Sequence, residues 1–118
     1  MKRDWELIRK IMLAIEDSPC DMKISSFSIK GYDPEIVGYH IKLLNDARLV
    51  EAINSSSDRM MYEYYTQDLT LAGHEFLDNI RSDTNWNKIK NLIKGKGGEL
   101  TFETIKAAAS YMIVNLFS

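Results

Sequence analysis

Apolar residues recur at three- and four-residue spacing in five stretches of this chain, and about 100° per residue puts each set on one stripe of a helix. Trp5, Ile8, Ile11, Met12 and Ile15 form the first set, predicting a helix over residues 4–16. Val37, His40, Ile41 and Leu44 form the second, over residues 33–47, where Asp33 can cap and Pro34 takes the first helical position, which needs no N–H. A third helix opens at Thr70 and buries Ala72, Phe76, Leu77 and Ile80. Trp86, Ile89, Leu92 and Ile93 make a fourth after a break at residues 82–84, stopped by Gly95, Gly97 and Gly98. Thr101 caps the fifth, with Phe102, Ile105, Ala109, Met112, Ile113 and Leu116 on one face. Between the second and third helices the helical spacing gives way to extended runs. Leu49 to Asn54 reads as a strand, residues 55–58 (SSSD) as a turn, and residues 60–66 as a returning, tyrosine-rich strand.

The segment 20–32 is short and serine-rich, so a strand or a single turn is expected there rather than a long helix. The order of elements predicts an α+β, mainly helical fold: a winged helix-turn-helix with a two-stranded wing and added C-terminal helices. Its expected division is a winged-helix domain over 1–82 and a helical extension over 83–118, packed on the same domain or on a second subunit. Gly73 is expected to permit a close backbone crossing. Arg48 stands where glycine usually ends such a helix, so either it is left-handed at a penalty of about 1 kcal/mol or the helix ends differently.

Charge changes the functional picture more than the fold. The formal net charge is −2 over 118 residues. Residues 51–85 carry a net −5 and residues 86–98 a net +4, so the wing region is the most acidic part. Duplex-binding modules draw affinity from cationic stripes, and that distribution argues against ordinary winged-helix docking. The helical face away from the core should show Glu35, Gly38, Tyr39, Lys42 and Asp46, with one lysine opposing two acids. The DNA-contact candidates are Tyr39, Lys42, Arg59 at the wing tip, and Lys88, Lys90 and Lys94. A protein interface is expected at Ile105, Met112, Ile113 and Leu116, and the Met60–Tyr65 stretch adds adaptable apolar and aromatic groups. His40 lies on the core stripe and is expected to be a hydrogen-bonded interior residue. One cysteine, Cys20, cannot form an internal disulfide, and with two histidines no metal site or catalytic constellation emerges. KGKGG lacks the Lys-Ser/Thr end of a phosphate loop. No enzyme activity, cofactor, metal, membrane span or small-molecule substrate is therefore expected, and the cytoplasm is the expected location.

Four blocks resemble a known family in order and spacing: MKRDWELIRKI, IKGYDPEIVGYHIKLLNDARLVEA, DLTLAGHEFLDNIR and TNWNKIK. The family comprises small uncharacterised proteins of bacteria and their prophages, carries a domain-of-unknown-function label, and is similar to winged-helix proteins. The resemblance implies a winged-helix fold and a phage-linked origin, and transfers no functional residues. Two functions follow from the sequence as expectations. One is DNA binding and transcription regulation on double-stranded DNA. The other is a protein-interaction module, as a homodimer or with another protein, that does not bind DNA.

Overall fold

The computed structural model describes residues 1–19 and 23–117, with the backbone alone at Leu116 and Phe117. Cys20 lies outside the described residues. Five helices and one two-stranded antiparallel sheet make an α+β, mainly helical chain: α1 (Trp5–Asp17), α2 (Pro34–Asp46), β1 (Val50–Asn54), β2 (Tyr64–Leu69), α3 (Leu71–Ile80), α4 (Asp83–Gly95) and α5 (Phe102–Phe117). The chain divides into two compact units, Met1–Leu77 and Asp78–Ser118. No helix among the described residues is long and apolar enough to cross a membrane.

In the first unit α1 packs on α2 and β2, and α2 packs on both strands. The Asp4 carboxylate accepts from the amides of Glu6 and Leu7 and so starts α1. Ser18 is extended ahead of Pro19, which ends it. Asp33 accepts from the Glu35 amide at 2.9 Å, with Pro34 at the first helical position of α2. Val37, His40, Ile41 and Leu44 are all fully buried, as the period requires. Residues 23–32 form turns, with one isolated bridge from Ser25 to Tyr65.

α2 ends on Arg48, whose φ is +62°. The Leu49 amide donates to the Leu44 carbonyl and the Arg48 amide to that of Asn45, each at 3.0 Å. The same pair of bonds closes α4, where Gly98 donates to Ile93 and Gly97 to Lys94, and there the left-handed residue is Gly97 at φ +77°. One motif thus occurs twice, once with its usual glycine. Arg48→Gly is therefore expected to raise stability by about 0.5–1 kcal/mol, relief of the left-handed strain being partly offset by a freer unfolded chain. Urea unfolding of the two proteins measures it.

The hairpin departs from expectation. β2 begins at Tyr64 and runs to Leu69, four residues later than the predicted start at Met60 and three past the predicted end at Thr66. The turn proper has Asp58 and Arg59 at its tip, closed by reciprocal bonds between Ser57 and Met60. Backbone groups of residues 61–63 are held largely by side chains, although the Glu63 carbonyl also accepts the Ser55 amide at 2.8 Å across the hairpin. The Met61 amide donates to Glu35 Oε1 at 3.0 Å, the Glu63 amide to Ser56 Oγ at 3.1 Å, and the Tyr62 carbonyl faces the Ser26 hydroxyl. With those groups satisfied, strand pairing starts only at Asn54 opposite Tyr64. β2 pairs with β1 on one side and takes the Ser25 bridge on the other, while β1 has no second strand partner among the described residues.

After the hairpin, Thr70 Oγ1 accepts from the Gly73 amide at 2.9 Å and opens α3. Gly73 lies against the Leu49 carbonyl, so the expected close crossing is present. Ala72, expected in the core, is exposed, because the helix turns Gly73, Phe76 and Leu77 inward instead. In the second unit Ser82 caps α4, and Thr101 Oγ1 accepts from the Thr104 amide at the start of α5. These two helices pack together, with Trp86, Ile89 and Ile93 buried on α4 and Ile105, Ala108 and Ala109 buried on α5.

Candidate functional site

The sequence places Glu35, Gly38, Tyr39, Lys42 and Asp46 on one face of α2, and here the chain itself lies across part of it. Gly38, expected to be exposed, is buried: a Cβ there would stand 1.8 Å from the Tyr62 carbonyl oxygen and 2.8 Å from Ser26 Oγ. Glu35 holds the Met61 amide. The Tyr39 ring meets Tyr62 edge-on at 5.2 Å and His40 at 5.7 Å. Lys42 donates to Asp46 Oδ2 at 2.8 Å, and that hydrogen-bonded carboxylate holds its ammonium above the usual lysine range. The close approach needs a residue without a side chain at position 38. A glycine inside a helix was the available signal.

The other sequence-predicted contacts are scattered. Arg59 is exposed at the tip of the turn. Lys88, Lys90 and Lys94 belong to the second unit, where Lys90 lies 5.2 Å over the Trp86 ring while Lys88 and Lys94 are exposed. Of the predicted interface residues, Ile105 is fully buried and so forms no outer surface, Met112 is half-buried and Ile113 is exposed. The Leu116 side chain lies outside the described residues. Exposed beside Ile113 are Tyr111 and Val114, which the apolar pattern did not single out because they fall off the stripe that faces α4.

His40 is interior, as expected, and its environment is specific. The Asp4 amide donates to Nε2 at 2.8 Å, so the ring proton sits on Nδ1 and donates to the Ile36 carbonyl at 2.7 Å. That bond joins residue 4 to residue 40 and fixes the segment before α1 against α2. Beside it opens a groove of about 510 Å³ lined by Met1, Lys2, Arg3, Trp5, Tyr39 and Leu43. Arg3 places its guanidinium 5.7 Å from the centre of the Trp5 ring. Sequence reasoning passed over this groove, since Trp5 was assigned wholly to the core stripe and is in fact half-buried.

A family model described as "Hypothetical protein (DUF2513)" matches residues 2–99. The chain belongs to the DUF2513 family. A protein of Haemophilus influenzae (strain ATCC 51907 / DSM 11121 / KW20 / Rd), described as "Uncharacterized protein", is 42% identical over 119 residues, covering 100% of both chains. No solved structure matches the chain. The DUF2513 match takes in the groove residues from Lys2 onward, the whole of α2 and the hairpin, and it ends before α5.

Proposed function

We propose that this DUF2513 protein is a non-catalytic winged-helix module that acts by contacting protein, its own copy included, rather than by reading duplex DNA. The order α1, bridging segment at Ser25, α2, hairpin and α3 supports the winged-helix assignment. The observation that carries the choice of partner is the passage of Met61 and Tyr62 across the outward face of α2. A helix that reads a major groove presents free polar side chains to base edges. Here Glu35, Gly38 and Lys42 are engaged within the chain.

α5 supplies the protein-contact side. Its charged side chains are Glu103 and Lys106, both near its start, and Ala107, Ser110, Tyr111 and Val114 are exposed at three- and four-residue spacing. An apolar exposed stripe of that kind suits a second helix, and a second copy offers the same neutral surface. A second reading, association with DNA as a transcription regulator of prophage origin, is favoured by the exposed Arg59, Lys88 and Lys94. That reading would rest on phosphate contacts.

A salt titration against mixed-sequence duplex separates the two. The expected result is no binding at micromolar protein and low salt. Binding whose affinity falls steeply with salt would overturn the proposal. Sedimentation of the same protein should show a dimer that Ile113→Asp with Val114→Asp converts to monomer. A wild-type monomer, or a dimer indifferent to both changes, removes α5 as the contact.

A further inference from the structure

We propose that the groove between the start of α1 and the flank of α2 binds a nucleotide, with its base against Trp5 and Tyr39 and its phosphate at Lys2 and Arg3. The inference goes beyond protein contact and concerns the first unit, whereas that contact is placed on α5 in the second. Its first support is the placing of two cations. Two acids share the segment with two bases, but the acids are already committed: Asp4 accepts two helix amides, and Glu6 pairs with Arg9 at 3.2 Å. Lys2 and Arg3 have no carboxylate partner among the described residues, and the Arg3 guanidinium lies against the Trp5 ring. Both side chains line the groove with no carboxylate held against them among the described residues, which leaves their donors available to an anion.

The second support is the pair of flat walls. Trp5 and Tyr39 are both half-buried and both line the groove. Tyr39 is oriented by Tyr62 and His40, and the segment carrying Lys2 and Arg3 is pinned by the Asp4–His40 hydrogen bond. The groove is thus fixed from the interior. A purely anionic ligand such as phosphate has no use for two aromatic walls, and a carboxylate-bearing side chain uses only the cations. A base joined to a phosphate uses both, and about 510 Å³ falls in the usual range for small-ligand sites. A free mononucleotide and a nucleotide within a single strand offer the same chemistry.

The test uses the full chain, fluorescently labelled oligo(dT) and dTMP. Anisotropy of the labelled oligomer should rise saturably with wild-type protein. Lys2→Glu with Arg3→Glu should weaken it about tenfold or more, and added salt should weaken it as well. Lys88→Glu with Lys94→Glu, in the other unit, should leave it unchanged. Trp86→Phe leaves Trp5 as the sole tryptophan, and its emission should be quenched on binding. Quenching by dTMP assigns the site to free nucleotides; quenching by the oligomer alone assigns it to single strands. Absence of both signals overturns the proposal, as does binding that survives the change at Lys2 and Arg3 or is lost with that at Lys88 and Lys94. Failure of the protein-contact reading shows separately, as salt-dependent duplex binding or loss of the dimer.

Discussion

Gly73→Ala is expected to destabilise the protein by about 3 kcal/mol, although alanine is ordinarily the better helix former by roughly 1 kcal/mol. The added Cβ would stand 1.9 Å from the Leu49 carbonyl oxygen and 2.9 Å from its carbon. That carbonyl is not free to retreat, because it accepts the Thr70 amide at 3.0 Å where the hairpin returns to α3. Gly38→Ala should cost as much for the same reason, its obstacles being the Tyr62 carbonyl and Ser26 Oγ. It should also lift residues 61–62 off α2, which faster hydrogen exchange at the Met61 amide would report. Gly95→Ala is the control. Nothing lies within 4 Å of its Cβ position, and the substitution should stabilise by about 0.5–1 kcal/mol. Denaturant midpoints of the three variants test the ordering, and a neutral Gly73→Ala would show that the crossing at Leu49 is looser than these distances.

His40→Leu is expected to cost about 2–3 kcal/mol even though leucine fits an apolar stripe. The loss arises at Asp4, whose amide donates to Nε2 and has no replacement acceptor in a leucine side chain. The Nδ1–H bond to the Ile36 carbonyl goes with it. The change should be local as well as global: the first turn of α1 should lose exchange protection before the rest of the helix. Oligo(dT) binding should fall in parallel, because the segment bearing Lys2 and Arg3 loses its anchor. Unfolding in urea combined with amide exchange reads both effects. Unchanged protection at residues 4–7 would mean the bond is dispensable.

Much of the fold was legible because local chemistry and periodicity agreed. Asp33–Pro34 marked the start of α2, Thr70 the start of α3, and the glycines after Lys94 the end of α4, all within a residue or two of their observed places. His40 was placed inside by its spacing from Val37, Ile41 and Leu44. What was missed depends on contacts far apart in sequence. The start of β2 was misplaced because Met60–Glu63 looks like a strand by composition, while Ser26, Glu35 and Ser56 capture its backbone groups. Gly38 was assigned to solvent by its angle on the helix, and only the return of Tyr62 some two dozen residues later covers it. The same limit hid the groove, since Trp5 and Tyr39 are brought together by the packing of α1 on α2 and the Asp4–His40 bond, between residues far apart in sequence.

The side of β1 that has no strand partner among the described residues has its own consequence. A ribbon with one uncovered margin is a template on which another molecule can continue the ladder, the first step towards a fibril. Its middle residues are Glu51, Ala52 and Ile53, and the glutamate is exposed. A repeating file of such carboxylates, stacked one chain above the next, repels itself, so this single acid acts as a gatekeeper against growth from the margin.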